Sequence, residues 1–119
     1  MTATAARGVD ATLAALADPH RRRVVELLRE RPRQAGELAR AVGLPPPAMS
    51  RHLRTLKSCG LLEESHPAFD ARVRIYALRT GPMIELTRWL EETERMWSEQ
   101  LLAFKEHLER APQQKVDEA

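Results

Sequence analysis

Apolar residues recur along this chain first at the three-and-four spacing of helices, then briefly at the two-residue spacing of strands, and finally at helical spacing again. The stretch VDATLAALA puts Leu13, Leu16 and Ala17 on one side of a short helix, which Asp18-Pro19 interrupts. Asp18 can accept from the free amides of a new helix and Pro19 suits its first position. A second helix is therefore expected through HRRRVVELLRER, burying Val24, Leu27 and Leu28, until Pro32 stops it. A third, QAGELARAV, has Leu38 and Val42 four apart and ends at Gly43; a fourth runs through AMSRHLRTLKSC and ends at Gly60.

The pattern then changes. LLEES and RVRIYAL read as extended segments, the second alternating Val73, Ile75 and Ala77 with Arg72, Arg74, Tyr76 and Leu78, and HPAFDA between them is turn-like, so a two-stranded hairpin is expected. Gly81-Pro82 opens a last helix from about Met83 to Arg110, about 42 Å long at 1.5 Å per residue. Met83, Leu86, Leu90, Thr93, Trp97, Leu101, Phe104 and Leu108 recur along it at steps of three and four, with Trp89 and Met96 as a flanking row seven apart. A helix this long has too little body beside it to cover that stripe, and a partner is expected to do so. After Ala111-Pro112 the pattern stops. A single domain over 9–110 is expected, with residues 1–8 and 112–119 as disordered tails.

Helix, glycine turn, helix, hairpin gives a fold that is mainly α with a small β-hairpin (α+β), the layout of a winged helix-turn-helix. Within ELARAVGLPPPAMSRHLRTL, Ala39 supplies the small residue where the two helices cross and Gly43 tolerates the positive φ of the turn. Leu38, Val42, Leu44, Met49, Leu53 and Leu56 supply the apolar contacts. On the later helix the 100° step groups Met49, Leu53 and Leu56, and sets Ser50, Arg51, Arg54, Lys57 and Ser58 on the other side. That polar face is sized for a DNA major groove. Arg51 and Arg54 can each make two hydrogen bonds to a guanine edge, Ser50 can meet base or phosphate, and Lys57 is placed for the backbone. Arg72 and Arg74 in the hairpin can reach an adjacent minor groove or phosphates. His52 borders the buried face, where it packs and can bond a phosphate or backbone group; Cys59, beside Gly60, reads as a small packing residue.

Charge sharpens this picture. The net charge is only +2, yet ten Arg or Lys stand against three Glu between His20 and Ser58, whereas from Met83 to Ala119 five stand against nine Asp or Glu. A basic half joined to an acidic helical half suits a nucleic-acid reader with an oligomerisation element. Aromatic residues are only 4% of the 119, so aliphatic side chains carry the core. One cysteine excludes an intrachain disulfide framework and multi-cysteine zinc sites, and fits a reducing cytoplasm. No apolar run approaches the roughly 18 residues that span a bilayer, and MTATAARGVDA lacks the apolar core of a signal peptide. No nucleophile with a paired base and no Gly-rich phosphate loop indicates an enzyme. A winged-helix protein-interaction module, with an incidental basic face, is the competing class.

The strings ALADPHRRRVVELL, GELARAVGL and SRHLRTLKSCGLLE, followed by an arginine-bearing hairpin and a long helix with Trp89 and Trp97, resemble the ArsR/SmtB family of bacterial repressors over about residues 9 to 110. The resemblance implies a homodimeric winged-helix regulator that binds an inverted-repeat operator in double-stranded DNA and blocks transcription, in the cytoplasm and on the nucleoid. It implies a recognition helix over 47–59 and a wing over 62–78. The expected DNA-contacting residues are Pro47, Ser50, Arg51, His52, Arg54, Lys57, Arg72 and Arg74. The implied dimer interface, from the first and last helices, is Leu13, Leu86, Trp89, Leu90, Met96, Trp97, Leu101 and Phe104.

Two departures qualify it. Pro45-Pro46-Pro47 stands where many relatives begin the recognition helix with Ser and Gln, so the helix is expected to start at Pro47 with no polar cap, shifting readout toward Ser50, Arg51 and Arg54. The segments that hold metal in metal-sensing relatives lack the ligands here: QAGELARAV has no thiol or imidazole, and the last helix has only His107 with Glu106 and Glu109. No metal and no cofactor are expected, and a metal- or ligand-responsive sensor would need a non-standard site. A small-molecule effector is not identified by any motif.

Overall fold

A computed structural model describes the backbone of residues 2–118 and the side chains of residues 8–110. Eight elements follow in order: α1 (Thr2–Leu16), α2 (Pro19–Glu30), β1 (Arg33–Gln34), α3 (Ala35–Val42), α4 (Pro46–Ser58), β2 (Leu62–Ser65), β3 (Ile75–Leu78) and α5 (Gly81–Glu118). They form two compact units, Met1–Leu86 and Thr87–Ala119. Both end helices extend past residues 9 and 110, and α5 continues through Ala111-Pro112, where a stop was expected. A proline inside a helix forfeits one amide hydrogen bond, which weakens the helix without forbidding it. The side chains of both expected tails lie outside the described residues, apart from Gly8.

In the first unit, Asp18 is the N-cap of α2, accepting from the amides of His20 (2.8 Å) and Arg21 (3.2 Å), with Pro19 as the first helical residue. Val24, Leu27 and Leu28 are buried, as the periodicity predicts. They join Leu38 and Ala39 of α3, Met49, Leu53 and Leu56 of α4, and Leu61, Leu62 and Tyr76 around the sheet in one aliphatic cluster. Gly43 ends α3 in the left-handed region (φ 80°), its amide bonded to the Ala39 carbonyl at 2.9 Å, and so turns the chain toward α4.

Four sequence expectations are corrected. The buried face of α1 is Val9, Thr12 and Ala15, whereas Leu13 and Ala17 are exposed. Small residues three apart allow close approach, and Thr12 is buried at no polar loss because its hydroxyl donates to the Gly8 carbonyl at 2.9 Å. The sheet has three strands in the order β1-β3-β2, all antiparallel, because Arg33 and Gln34 pair with Tyr76 and Ile75. Two residues are too few to display an alternation. In β3 the inward residue is Tyr76, while Ile75 and Ala77, like Val73 ahead of the strand, are only half-buried; pairing of Leu62 with Leu78 and of Glu64 with Tyr76 sets that face. Finally, α4 begins at Pro46, one residue early. Pro45 is its N-cap and two prolines occupy the first turn, where a missing N–H removes no intrahelical bond.

A Cβ at Gly43 would meet nothing within 4 Å, so replacement there is opposed by the backbone alone. Gly43→Ala is expected to lower stability by about 1–2 kcal/mol and Gly43→Asn by less, measured by urea denaturation; equal stability of all three chains would refute the strained turn.

Candidate nucleic-acid interface

Burial of Met49, Leu53 and Leu56 fixes the roll of α4 about its axis, and that roll decides which side chains face outward. Arg51, Arg54, Thr55, Lys57 and Ser58 are exposed, Pro47 is exposed at the first turn, and Ser50 and His52 are half-buried at the edges. The side chains of Arg51 and Arg54 make no hydrogen bond or ion pair among the described residues; they are exposed with their guanidinium donors free, and the Arg51 carbonyl accepts from the Thr55 hydroxyl at 3.2 Å. Lys57 differs. Its ammonium lies 2.8 Å from Glu64 Oε2, and the Tyr76 hydroxyl donates to Glu64 Oε1 at 2.7 Å. The bonds from Lys57 and Tyr76 hold the Glu64 carboxyl below the usual carboxylate range. Burial, reinforced by the bond to that carboxylate, pushes the Tyr76 phenol up to about 12.

The hairpin between β2 and β3 carries the wing residues on its loop rather than in its strands. A turn closes at the bond from the Asp70 amide to the Pro67 carbonyl (3.2 Å), and Asp70 Oδ1 accepts from the Arg72 amide (3.0 Å) and side chain (3.3 Å). The Arg72 side chain is 92% exposed beyond that clasp. Beside it Phe69 is 88% exposed, which sequence reasoning passed over because an isolated ring in a turn has no periodic signature. Arg74 reaches back to α4, its Nη2 lying 3.5 Å from Ser50 Oγ, while its carbonyl accepts from the Ala35 amide at 3.2 Å. The wing base, the start of α3 and the recognition helix thus share one residue.

Several basic residues that swell the charge of this half have internal duties. Arg21 donates to the Ala15 carbonyl (2.7 Å) and Arg22 to the Leu16 carbonyl (2.8 Å), serving as side-chain caps for the end of α1. Arg33, only 12% exposed, donates to the Leu27 carbonyl and pairs with Glu30 (2.9 Å) and Glu37 (2.7 Å). Bonds from Arg31 and Arg33 depress the Glu37 carboxyl. Arg23 pairs with Glu26 at 3.3 Å.

Where the α1–α2 turn meets α4, Arg21 Nη1 lies 3.3 Å from His52 Nδ1 and the His20 and His52 rings are 5.7 Å apart. Burial pushes the Asp18 carboxyl up, but the bonds from the amides of Arg21 and His20, with the nearby Arg21 guanidinium, outweigh it and hold the group below its usual value. The sequence gives no hint of this meeting, because His52 lies 31 positions from Arg21.

On the last helix, Trp89, Leu90, Met96, Trp97, Leu101 and Phe104 are all exposed, between 43% and 60%. Leu13 is exposed as well. Leu86, expected in a dimer interface, is 6% exposed within its own chain and belongs to the first unit's interior. Its position at the start of α5 lets the first unit cover it, a shielding that periodicity cannot distinguish from coverage by a second chain. Among the described residues no helix is long and apolar enough to cross a membrane.

A glycine-turned helix pair with a three-stranded wing defines the winged helix-turn-helix class of DNA-binding transcriptional regulators. Residues 18–64 match the profile of the bacterial regulatory proteins of the arsR family. The HTH-type transcriptional regulator Rv2034 of Mycobacterium tuberculosis is 37% identical over 98 residues, 82% of this chain and 86% of that one. An ArsR-like transcriptional regulator from Rhodococcus sp. RHA1 superposes with a TM-score of 0.71 at 26% identity, covering 84% of this chain and 92% of its own. The ArsR family transcriptional regulator RHA00566 gives 0.70 at 28% identity, covering 77% and 92%. The chain belongs to the arsR family of bacterial transcriptional regulators, and is not an enzyme.

Tyr76 is the chain's one tyrosine, so absorbance at the phenolate band reports it alone. Its ionisation midpoint is expected near 12 rather than about 10, and Glu64→Gln should lower that midpoint by removing the acceptor charge. Because the folded value is raised, the stability it confers is complete below about pH 10 and is lost as pH climbs through the folded value. An unshifted midpoint in the wild-type chain would refute the Tyr76–Glu64 bond.

Proposed function

We propose that the protein is a homodimeric repressor that binds a two-fold symmetric, inverted-repeat operator in double-stranded DNA. The observation that carries this reading is the recognition helix itself: one face fixed by the core, the other presenting the Arg51 and Arg54 guanidinium groups with no partner among the described residues. Each guanidinium can bind a guanine edge through two N–H donors, so these two residues read sequence. Ser50 and Arg74, already in contact, meet the backbone or a neighbouring base, and His52 reaches a phosphate at the edge of the groove. Pro47 packs against the sugar-phosphate wall without donating. Arg72, extended from the wing loop, enters the adjacent minor groove or binds its phosphates, and Lys57 takes a supporting backbone role because Glu64 shares its charge.

Dimerisation rests on the second unit. A helix with Trp89, Leu90, Met96, Trp97, Leu101 and Phe104 exposed presents more apolar surface than a solitary helix tolerates in water, and a second copy covers it. Leu13 of α1, exposed in its own chain, is assigned a dimer contact as well, whereas Leu86, buried in its own chain, is not. Two recognition helices then address half-sites whose centres lie about one helical turn, or a multiple of it, apart. Repression follows from occupancy of a promoter by such a dimer, in keeping with the family.

Arg51→Ala and Arg54→Ala are each expected to weaken specific binding to the region upstream of the protein's own gene by about 1–3 kcal/mol per lost base contact, with little effect on binding to random duplex. Gel-shift titration at moderate salt against both duplexes measures this. Unchanged affinity and selectivity in both variants would remove these residues from recognition. No preference for that region over random duplex in the wild-type chain would favour a protein-interaction module. A strict monomer at micromolar concentration, by sedimentation, would overturn the assigned role of the last helix.

A further inference from the structure

We propose that Asp18, His20 and His52 form a binding site for a divalent transition-metal ion of the zinc type, linking the start of α2 to the recognition helix. These three residues, drawn from two elements, each offer a ligand atom, and the three atoms all lie within 4.8 Å of one another. Zinc bonds of about 2.0–2.1 Å would hold its ligands about 3.3 Å apart, so closure by up to about 1.5 Å completes the set. His20 Nδ1 already stands 3.6 Å from Asp18 Oδ1, and His20 is exposed and free to swing inward.

Each ligand is prepared differently. Asp18 is oriented by its cap bonds: Oδ1 accepts from two amides, while Oδ2 has no hydrogen bond among the described residues. His52 is half-buried on α4, where Arg21 Nη1 and the His20 ring lie against it. The Arg21 Nη1 donor at 3.3 Å favours the tautomer with Nδ1 unprotonated, which leaves on that nitrogen the lone pair a metal needs. Metal and guanidinium compete for it. Arg21 can yield, because its bonds to the carbonyls of Ala15 (2.7 Å) and Ala14 (3.4 Å) hold it without His52. Water completes a four-coordinate sphere with three protein ligands.

The local charge selects the ion. A single carboxylate faces the positive end of α2 and the Arg21 guanidinium, so the site has no electrostatic excess with which to hold calcium or magnesium. Two imidazoles favour zinc, cobalt, nickel or copper through the metal–nitrogen bond instead. The third and last helices, which hold metal in metal-sensing relatives, lack the ligands here; this cluster lies in neither and comes together only in the fold.

The test is calorimetric titration of Zn²⁺ and, separately, Mg²⁺ into the metal-free full chain, with thermal unfolding followed in parallel. One Zn²⁺ per chain and no Mg²⁺ uptake are expected, with a rise in the wild-type unfolding midpoint. His20→Gln and His52→Gln should each weaken zinc binding by at least about tenfold and abolish that rise. His20→Gln alters an exposed side chain and so preserves the fold, and His52→Gln retains an acceptor for Arg21. Absence of zinc uptake by the wild-type chain, or uptake that survives His20→Gln undiminished, overturns the proposal. Neither measurement uses DNA, so its outcome is independent of the operator reading.

Discussion

What α4 can offer a nucleic acid depends on the burial of Met49, Leu53 and Leu56. A helix of 13 residues is marginal in water alone, and it persists here because one face is withdrawn into a shared aliphatic core. The same contact settles orientation. Rolling the helix by one residue's 100° would drive a charged group inward and expose a leucine, so the outward direction of Arg51 and Arg54 is enforced by the cost of that exchange. Ala39 lets α3 come close enough to complete the core, and Leu61, Leu62 and Tyr76 close it from the sheet.

Acidic residues and carbonyls then determine which of the many cations remain unpaired. Of the ten basic residues between His20 and Ser58, Arg21 and Arg22 terminate α1, while Arg23, Arg31, Arg33 and Lys57 pair with carboxylates. Arg29, Arg40, Arg51 and Arg54 are left without a partner among the described residues, and two of these four lie on α4. The basic character of this half is therefore partly structural. A count of charges overstates the number of groups held ready for phosphate.

Much of this was legible beforehand, for identifiable reasons. The Asp18-Pro19 start, the Gly43 turn and the apolar row of α4 are local signals, each written within a few neighbouring residues. Features that require distant residues to meet were not. β1 exists only because β3 supplies its partner, and the inward turn of Tyr76 follows from the register with Glu64 rather than from the alternation of its own strand. On α1, Leu13 outranks Ala15 in hydrophobicity but Ala15 wins on space, so the apolar pattern and the buried face differ there. Within the site, Arg51 and Arg54 were readable from helical phase, whereas the engagement of Lys57 with Glu64 and of Arg74 with Ser50 needed the fold.

The prolines at the head of α4 bear on how the recognition helix comes to exist. Forming the first turn of a helix is the step at which most backbone freedom is lost for the fewest hydrogen bonds. Pro46 and Pro47 stand at the first helical positions with φ already confined by their rings, and Pro45 holds the extended geometry of the cap (φ −61°, ψ 148°). Part of that loss is thus absent from folding altogether, because the unfolded chain never had the freedom to surrender. An opening that carries no polar cap is in this way stiffened by covalent geometry, and Ser50 and Arg51 emerge from a helix end that resists fraying.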